Sequence, residues 1–474
     1  MADLSQRPRV AVILAAGKGT RLRSALPKVL HQAAGRPLLA WVIDAARQAG
    51  CERVLVVVGH GAEQVREEMA STMGGEDLTW VLQAEQRGTG HALAQTEEAL
   101  GGRPVNLLVL SGDVPLVTPA TLEALASSAE AGWGAMSVAE LDEPGSLGRV
   151  IARADGGLHR IVEAKDADAE ELAIRRVNAG LYVLPAPEIF DYLRRLKTDN
   201  AQGELYLTDA VTDAANDSDG GNPVALVPLA DPGEALGVNN RAELAQVHRR
   251  LLDRHLYGLM MAGVSILEPA RTVVEPGVRV GTDTVIHPGV SLLGHTTVGS
   301  GCTLHQGAWL RDTVVADGVT IEPYSVLDGA EIGDGCRVGP FARLRPASRL
   351  LSGARVGNFV EVKSSELGPG SKAGHLSYIG DTTVGANANI GAGVVTCNFD
   401  GTAKHRTEIG PGAFIGSDTM LVAPVRVGEG ATTAAGSVIT KNVPDGALAV
   451  GRVRQKNLPG DRIPALRRRK REET

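Results

Sequence analysis

Along the C-terminal half of the chain, aliphatic residues recur every six positions. Val280, Ile286, Leu292, Val298, Leu304 and Leu310 are in phase, and so are Ile332, Val338, Leu344, Leu350, Val356 and Val362. The rhythm returns at Ile409, Ile415, Leu421, Val427 and Ile439, with Thr433 as its polar member. Glycine often follows, as in Val298-Gly299 and Val338-Gly339. Neither a helix, with period 3.6, nor a strand, with period 2, produces this spacing. It predicts a parallel β-helix in which each short side sends one aliphatic residue inward. Two gaps interrupt the phase, Val362–Val384 and Ile390–Ile409, and both read as loop insertions. Insertions in a solenoid gather on one face and often form a binding site.

The first half follows another pattern. Apolar runs at Val10–Leu14, Val54–Val58 and Leu107–Leu110 alternate with helix-like stretches at Leu38–Ala49 and Gly90–Leu100. Continuous apolar strands separated by helices predict a mostly parallel sheet covered on both faces. After Asn240, helical spacing at Leu244, Val247, Leu251 and Leu252 predicts a connecting helix. The expected plan is an α/β domain over 1–238, a linker helix over 239–263 and a β-helix over 264–456. A basic tail over 457–474 reads as solvated and disordered.

Composition narrows the function classes. A net charge of -7 disfavours non-specific nucleic-acid binding. No apolar run reaches the length of a membrane span, and the N-terminus lacks the apolar core of a signal peptide. The four cysteines are far apart and form no CxxC. Free thiols and a cytoplasmic location are therefore expected.

Candidate chemistry sits at strand ends. The first strand runs into Leu14-Ala15-Ala16-Gly17-Lys18-Gly19-Thr20-Arg21. A glycine-rich turn there lets backbone N–H groups approach phosphate oxygens. It is neither a Walker loop nor a dinucleotide fingerprint. Arg21 and Lys28 supply cations for a polyphosphate, or are merely solvated. A second strand ends in Ser111-Gly112-Asp113, which places a carboxylate where open α/β sheets bind ligands. Asp113 is either a Mg²⁺ ligand or a helix N-cap. Gln83-Ala84-Glu85-Gln86-Arg87-Gly88-Thr89 is either a base-binding loop or an ordinary capped turn. In the coil, polar residues collect around the gaps: Arg345, Lys363, His375, Tyr378, Asn389, Asn398 and Lys404.

The runs LAAGKGTRL, PKVLH, QAEQRGTGHAL, SGDVPL, IVEAKDA, VNAGLY and GVNNR resemble the sugar-nucleotide pyrophosphorylases. With KAGHLSYIG and NIGAGVVTCNFDG behind them, the chain is similar to the bacterial uridyltransferase/acetyltransferases of UDP-N-acetylglucosamine synthesis. The resemblance covers about residues 8–456. It implies a Rossmann-like nucleotidyltransferase domain followed by a left-handed β-helix of hexapeptide repeats.

The resemblance also implies roles. Leu14, Ala15, Ala16 and Gly17 line the nucleotide, and Arg21 and Lys28 hold the UTP phosphates. Gln83, Gln86, Gly88 and Thr89 receive uracil, and Ser111 and Gly112 belong to the same UTP/UDP-N-acetylglucosamine-binding set. Asp113 and Asn239 coordinate Mg²⁺, while Gly148, Glu163 and Asn178 meet N-acetylglucosamine-1-phosphate. In the coil, Arg345 and Lys363 bind the phosphate of glucosamine-1-phosphate. Tyr378 and Asn389 hold its sugar, and His375 is the general base. Ala392, Asn398, Phe399, Ser417, Ala435 and Arg452 face acetyl-CoA. The family has tyrosine where this chain has Ser111 and Phe399, so a hydroxyl contact is lost at the second position. A homotrimer with acetyltransferase sites between subunits is implied. Competing readings are a single-activity nucleotidyltransferase with the coil as an assembly or regulatory domain, and a scaffold with a dead catalytic domain.

Overall fold

A computed structural model describes residues 4–75, 77–217 and 223–458; the end of the chain from 459, with most of the basic run, lies outside them. The chain divides into two compact units between Leu252 and Asp253. That boundary falls inside a helix spanning Arg241–Met261.

The first unit is built on one nine-stranded sheet. Strand Arg9–Ala15 pairs in parallel with Arg53–Val58 and with Val105–Ser111. Leu78–Leu82 extends the sheet beyond Arg53–Val58. The central strands are apolar on both faces because helices cover both sides; Ala11, Val12, Ile13, Leu55 and Val56 have no exposure at all. The sheet is more mixed than the alternation predicts. Strand Arg176–Ala186 runs antiparallel to both Val105–Ser111 and Gly134–Glu140, and Arg149–Ala152 with Leu158–Val162 forms a hairpin attached to it. The helix expected over Gly90–Leu100 is two short pieces, Thr89–Ala94 and Glu97–Leu100. Between them the buried Thr96 hydroxyl donates to the carbonyl of Leu93, an i−3 bond that competes with helix continuation.

The second unit is a three-sided coil whose faces are parallel sheets of eleven, ten and nine strands. Strands pair with the third strand onward, one turn later, until the last turn, where Thr432–Thr433 pairs with Leu448–Ala449, the second strand onward. All the phased residues named above point inward and are buried, except Val280, which is partly so. Burying an aliphatic side chain of this size contributes roughly 1.5–3 kcal/mol, which makes the repeat the main source of the coil's stability.

One expectation fails. The stretch between Val362 and Val384 is not an insertion. Leu367, Ala373 and Ile379 fill the interior there, on strands Glu366–Leu367, Lys372–His375 and Tyr378–Gly380. The six-residue phase is lost because one corner is a residue shorter: Val362 to Leu367 and Ile379 to Val384 are steps of five. The same corner shortens from Leu310 to Val315 and from Leu327 to Ile332. The second gap is a true excursion. Thr396 takes the inward position after Ile390, and the chain leaves the coil near Asn398 and returns at Thr407.

Candidate active sites

In the first unit, a cavity of about 250 Å³ opens at the carboxyl ends of the central strands. Leu14, Ala15, Ala16, Gly17, Lys28, Gln83, Gln86, Gly88, Thr89, Ser111 and Asp113 line it, all from the expected set. Glu204 lines it too, and no motif pointed there.

The loop geometry explains several residue types. Gly19 has φ 60°, and a Cβ on it would come within 2.7 Å of the Lys28 Cβ. Glycine thus lets the Lys28 stem pass beneath the turn. Gly88 has φ 108°, and its Cβ would lie 2.5 Å from the Leu205 carbonyl. The 204–208 segment seals that side: Leu205 N–H donates to Arg87 O at 2.7 Å, Gly90 N–H to Leu205 O at 2.8 Å, and Leu207 N–H to Thr89 Oγ1 at 3.1 Å. Gln83 is buried, and its amide donates to Gly88 O.

Asp113 is not a helix cap. The following helix, Pro119–Ala129, is capped by Thr118, whose side chain accepts from Thr121 N–H. Asp113 instead forms an ion pair with Lys28 Nζ. The same Nζ lies 2.9 Å from Asn239 Oδ1, which also accepts from Arg21 at 2.8 Å. Two side-chain oxygens therefore converge on one cation. Among the described residues no cluster of three His, Cys, Asp or Glu side chains is arranged to hold a metal. A carboxylate and an amide oxygen suit a hard cation that draws its other ligands from phosphate and water. The residues present fit Mg²⁺.

Gly148, Glu163 and Asn178 come together beside this cavity. Asn178 N–H donates to Gly148 O, and a Cβ on Gly148 would lie 3.6 Å from the Glu163 carboxyl carbon. The Asn178 amide donates to Tyr182 Oη at 2.6 Å and accepts from Gly180 N–H at 2.9 Å. Burial pushes the Glu163 carboxyl above its ordinary value; Thr208, which donates to it at 3.0 Å, opposes this, while Asp209, Asp166 and Glu204 reinforce it. Thr208 and Tyr182 escaped notice because neither belongs to a polar cluster in the sequence.

On the coil, the candidates occupy two faces and the corner between them. Asn358, His375, Ala392, Ser417 and Ala435 hold equivalent places, each two residues beyond an inward residue. They form one line up a single corner, and Arg452 joins its upper end by donating to Ala435 O at 2.7 Å. His375 ends a strand, and its Nδ1 lies 2.8 Å from Asn358 Oδ1.

The adjoining face carries Arg345, Lys363 and Tyr378. Arg345 pairs with Glu361 at 3.0 Å. Lys404 reaches Lys363 from the excursion, and this second ammonium lowers the Lys404 pKa. Asn398 is buried and donates to Asp381 at 2.5 Å and to Tyr378 Oη at 3.4 Å. A Cβ on Gly380 would collide with the Tyr378 ring where it stands. The excursion is held by Asp400, which accepts from Thr402 and Ala403 N–H and pairs with His405 at 2.7 Å. Phe399 is 59 % exposed and bridges to Lys404 through the backbone. Asn389 stands apart, on the face of Lys372.

Comparison with known proteins agrees with both halves. Residues 11–214 match the MobA-like NTP transferase domain, and residues 312–346 and 406–441 match the bacterial transferase hexapeptide. The chain is 46% identical over 452 residues to the bifunctional protein GlmU of Trichlorobacter lovleyi, covering 95% of this chain and 97% of that one. It is 48% identical over 456 residues to bifunctional protein GlmU of Alkalilimnicola ehrlichii, covering 96% of each. With two such domains in this order and a likeness that spans both, the chain belongs to the family of bifunctional GlmU proteins.

Proposed function

We propose that this bifunctional enzyme acetylates glucosamine-1-phosphate with acetyl-CoA and then transfers UMP from UTP to N-acetylglucosamine-1-phosphate, releasing pyrophosphate. The uridyltransferase occupies 1–238 and the acetyltransferase 264–456, with the helix between them. The observation that carries the reading is the convergence of Asp113, Asn239, Lys28 and Arg21 at the mouth of the Gln83–Gly88 cavity.

In uridyl transfer, an oxygen of the sugar phosphate attacks the α-phosphorus in line and pyrophosphate leaves. The nucleophile is already ionised, so no general base is required. Backbone N–H groups of the Leu14–Gly17 turn meet the phosphates, and Gln83 and Gln86 meet the base. Lys28 and Arg21 neutralise charge on the leaving pyrophosphate. Asp113 and Asn239 would hold Mg²⁺, which would supply positive charge against the phosphates. In the free protein Lys28 and Arg21 sit on those two side chains, so a polyphosphate draws the cations off them.

In acetyl transfer, Arg345, Lys363 and Lys404 receive the sugar phosphate. The amine attacks the thioester carbon, His375 Nε2 takes its proton, and the coenzyme thiolate leaves. The line from Ala392 to Arg452 carries acetyl-CoA. Because Asn389 faces away from Lys363, one coil does not close this site. A neighbouring coil completes it, which accounts for a homotrimer. No described helix is long and apolar enough to cross a membrane. A cytoplasmic location fits the donors that the enzyme uses.

The test is to incubate full-length protein with glucosamine-1-phosphate, acetyl-CoA, UTP and Mg²⁺ and to identify products by mass. UDP-N-acetylglucosamine, pyrophosphate and free coenzyme A are expected. Uridyl transfer without acetylation would leave a single-activity nucleotidyltransferase.

A further inference from the structure

Glu204 is the one charged side chain lining this cavity to which the proposed function gives no work. It is half-buried. Its backbone is fixed on both sides: Asn200 Oδ1 accepts from Glu204 N–H at 3.1 Å, and Asn200 Nδ2 donates to Glu204 O at 2.6 Å. The carboxylate itself makes no hydrogen bond and no ion pair among the described residues. A half-buried carboxylate with no partner in the protein keeps its accepting oxygens available to a ligand, and a second carboxylate, Glu163, is close enough to feel its charge.

Position and charge identify the ligand group. The Glu204 Cβ lies 3.0 Å from where a Cβ on Gly88 would stand, at the base-binding loop. Four residues on, Thr208 donates to Glu163, beside the sugar cluster. Glu204 thus faces the space between nucleobase and sugar. An ionised carboxylate only accepts hydrogen bonds and repels phosphate. The uracil imide is already assigned to Gln83 and Gln86, so the donors left in that space are the ribose and sugar hydroxyls and the acetamido N–H of the sugar, of which the hydroxyls are the more numerous.

We propose that Glu204 is a specificity-determining residue of the nucleotidyl-transfer site, its carboxylate accepting a hydrogen bond from a hydroxyl of the sugar phosphate or of the UTP ribose. This rests on the uridyltransferase reading. A site built around such a bond rejects the analogue that lacks the hydroxyl, because the carboxylate is then left unpaired.

The experiment measures pyrophosphate release by the full-length wild type, Glu204→Gln and Glu204→Ala. Substrates are UTP, its 2′- and 3′-deoxy analogues, N-acetylglucosamine-1-phosphate and its 3-, 4- and 6-deoxy analogues. The thermal denaturation midpoint of the first unit in the same samples reports folding, and acetylation reports that the second unit is intact. The wild type should lose about 10- to 100-fold in kcat/KM with one analogue. Glu204→Ala should lose a similar factor with the intact substrate and nothing further with that analogue. The analogue concerned says whether ribose or sugar supplies the hydroxyl. Rates within twofold of wild type for Glu204→Ala would overturn the proposal. So would an equal loss on every substrate, which would make Glu204 a support for the Gly88 loop. A folded, acetylating wild type that made no UDP-sugar would instead remove the uridyltransferase reading, and this proposal with it.

Discussion

The ring of His375 touches Asn358 on the preceding turn, with Nδ1 2.8 Å from the amide oxygen. An amide oxygen only accepts, so Nδ1 carries a proton, and in the neutral ring Nε2 keeps its lone pair. That is the tautomer a general base needs. His375→Ala should cost roughly 100- to 10,000-fold in acetyl transfer and leave uridyl transfer intact. A loss below tenfold between pH 6 and 9, in a properly assembled sample, would exclude His375 as the base.

Asn358→Leu should lower kcat for acetylation about 10- to 100-fold by freeing the ring, with KM for acetyl-CoA little changed. Asn358→Asp still accepts at the same place and should restore most of the rate. Equal damage from both variants in a coenzyme A release assay would mean that the corner itself, not the tautomer, had been disturbed.

Lys363 lowers the Lys404 pKa in the free protein. A phosphate dianion between the two ammonium groups would restore it, so binding takes up a proton in the interval between the two values. Affinity for glucosamine-1-phosphate should therefore fall as pH rises through the lowered value. Lys404→Met should raise KM roughly tenfold and flatten that limb. KM measured from pH 7 to 10 distinguishes the outcomes; an unchanged limb in the variant would assign the titration elsewhere.

Asp113→Ala removes one of the two oxygens on Lys28. Uridyl transfer should drop at least about 100-fold, as expected for a lost metal ligand, while acetylation persists. Parallel assays of pyrophosphate and coenzyme A release on one preparation check this. Comparable loss of both activities would point to misfolding.

Leu344 is fully enclosed in the coil. Leu344→Ala should destabilise the second unit by about 2–5 kcal/mol, read from its denaturation midpoint.

The coil was legible because its interior admits one residue per side, so burial writes a period into the sequence. What defeated the reading was a corner that varies by one residue. Val362 to Leu367 breaks the phase without adding chain, and a shortened turn then imitates an insertion. In the first unit, Gly19 and Asp113 were visible because turns and strand ends restrict residue type. Strand Arg176–Ala186 was not, since its direction depends on pairing with Val105–Ser111, which no local pattern encodes. Glu204 was hidden for a related reason. It reaches the cavity only because Leu205 pairs with Arg87 and Gly90, over a hundred positions away.

The line from His375 to Arg452 has a consequence of length. Successive turns of parallel strands stand ~4.8 Å apart. His375, Ala392, Ser417, Ala435 and Arg452 are four such steps, so the edge measures roughly 19 Å from the backbone of His375 to that of Arg452. On the proposed function, the coil would act as a ruler for its acetyl donor. Inserting one whole turn between Ala392 and Ser417 would leave the interior filled and His375 untouched. It would carry Arg452 beyond reach of a donor whose thioester is seated at His375.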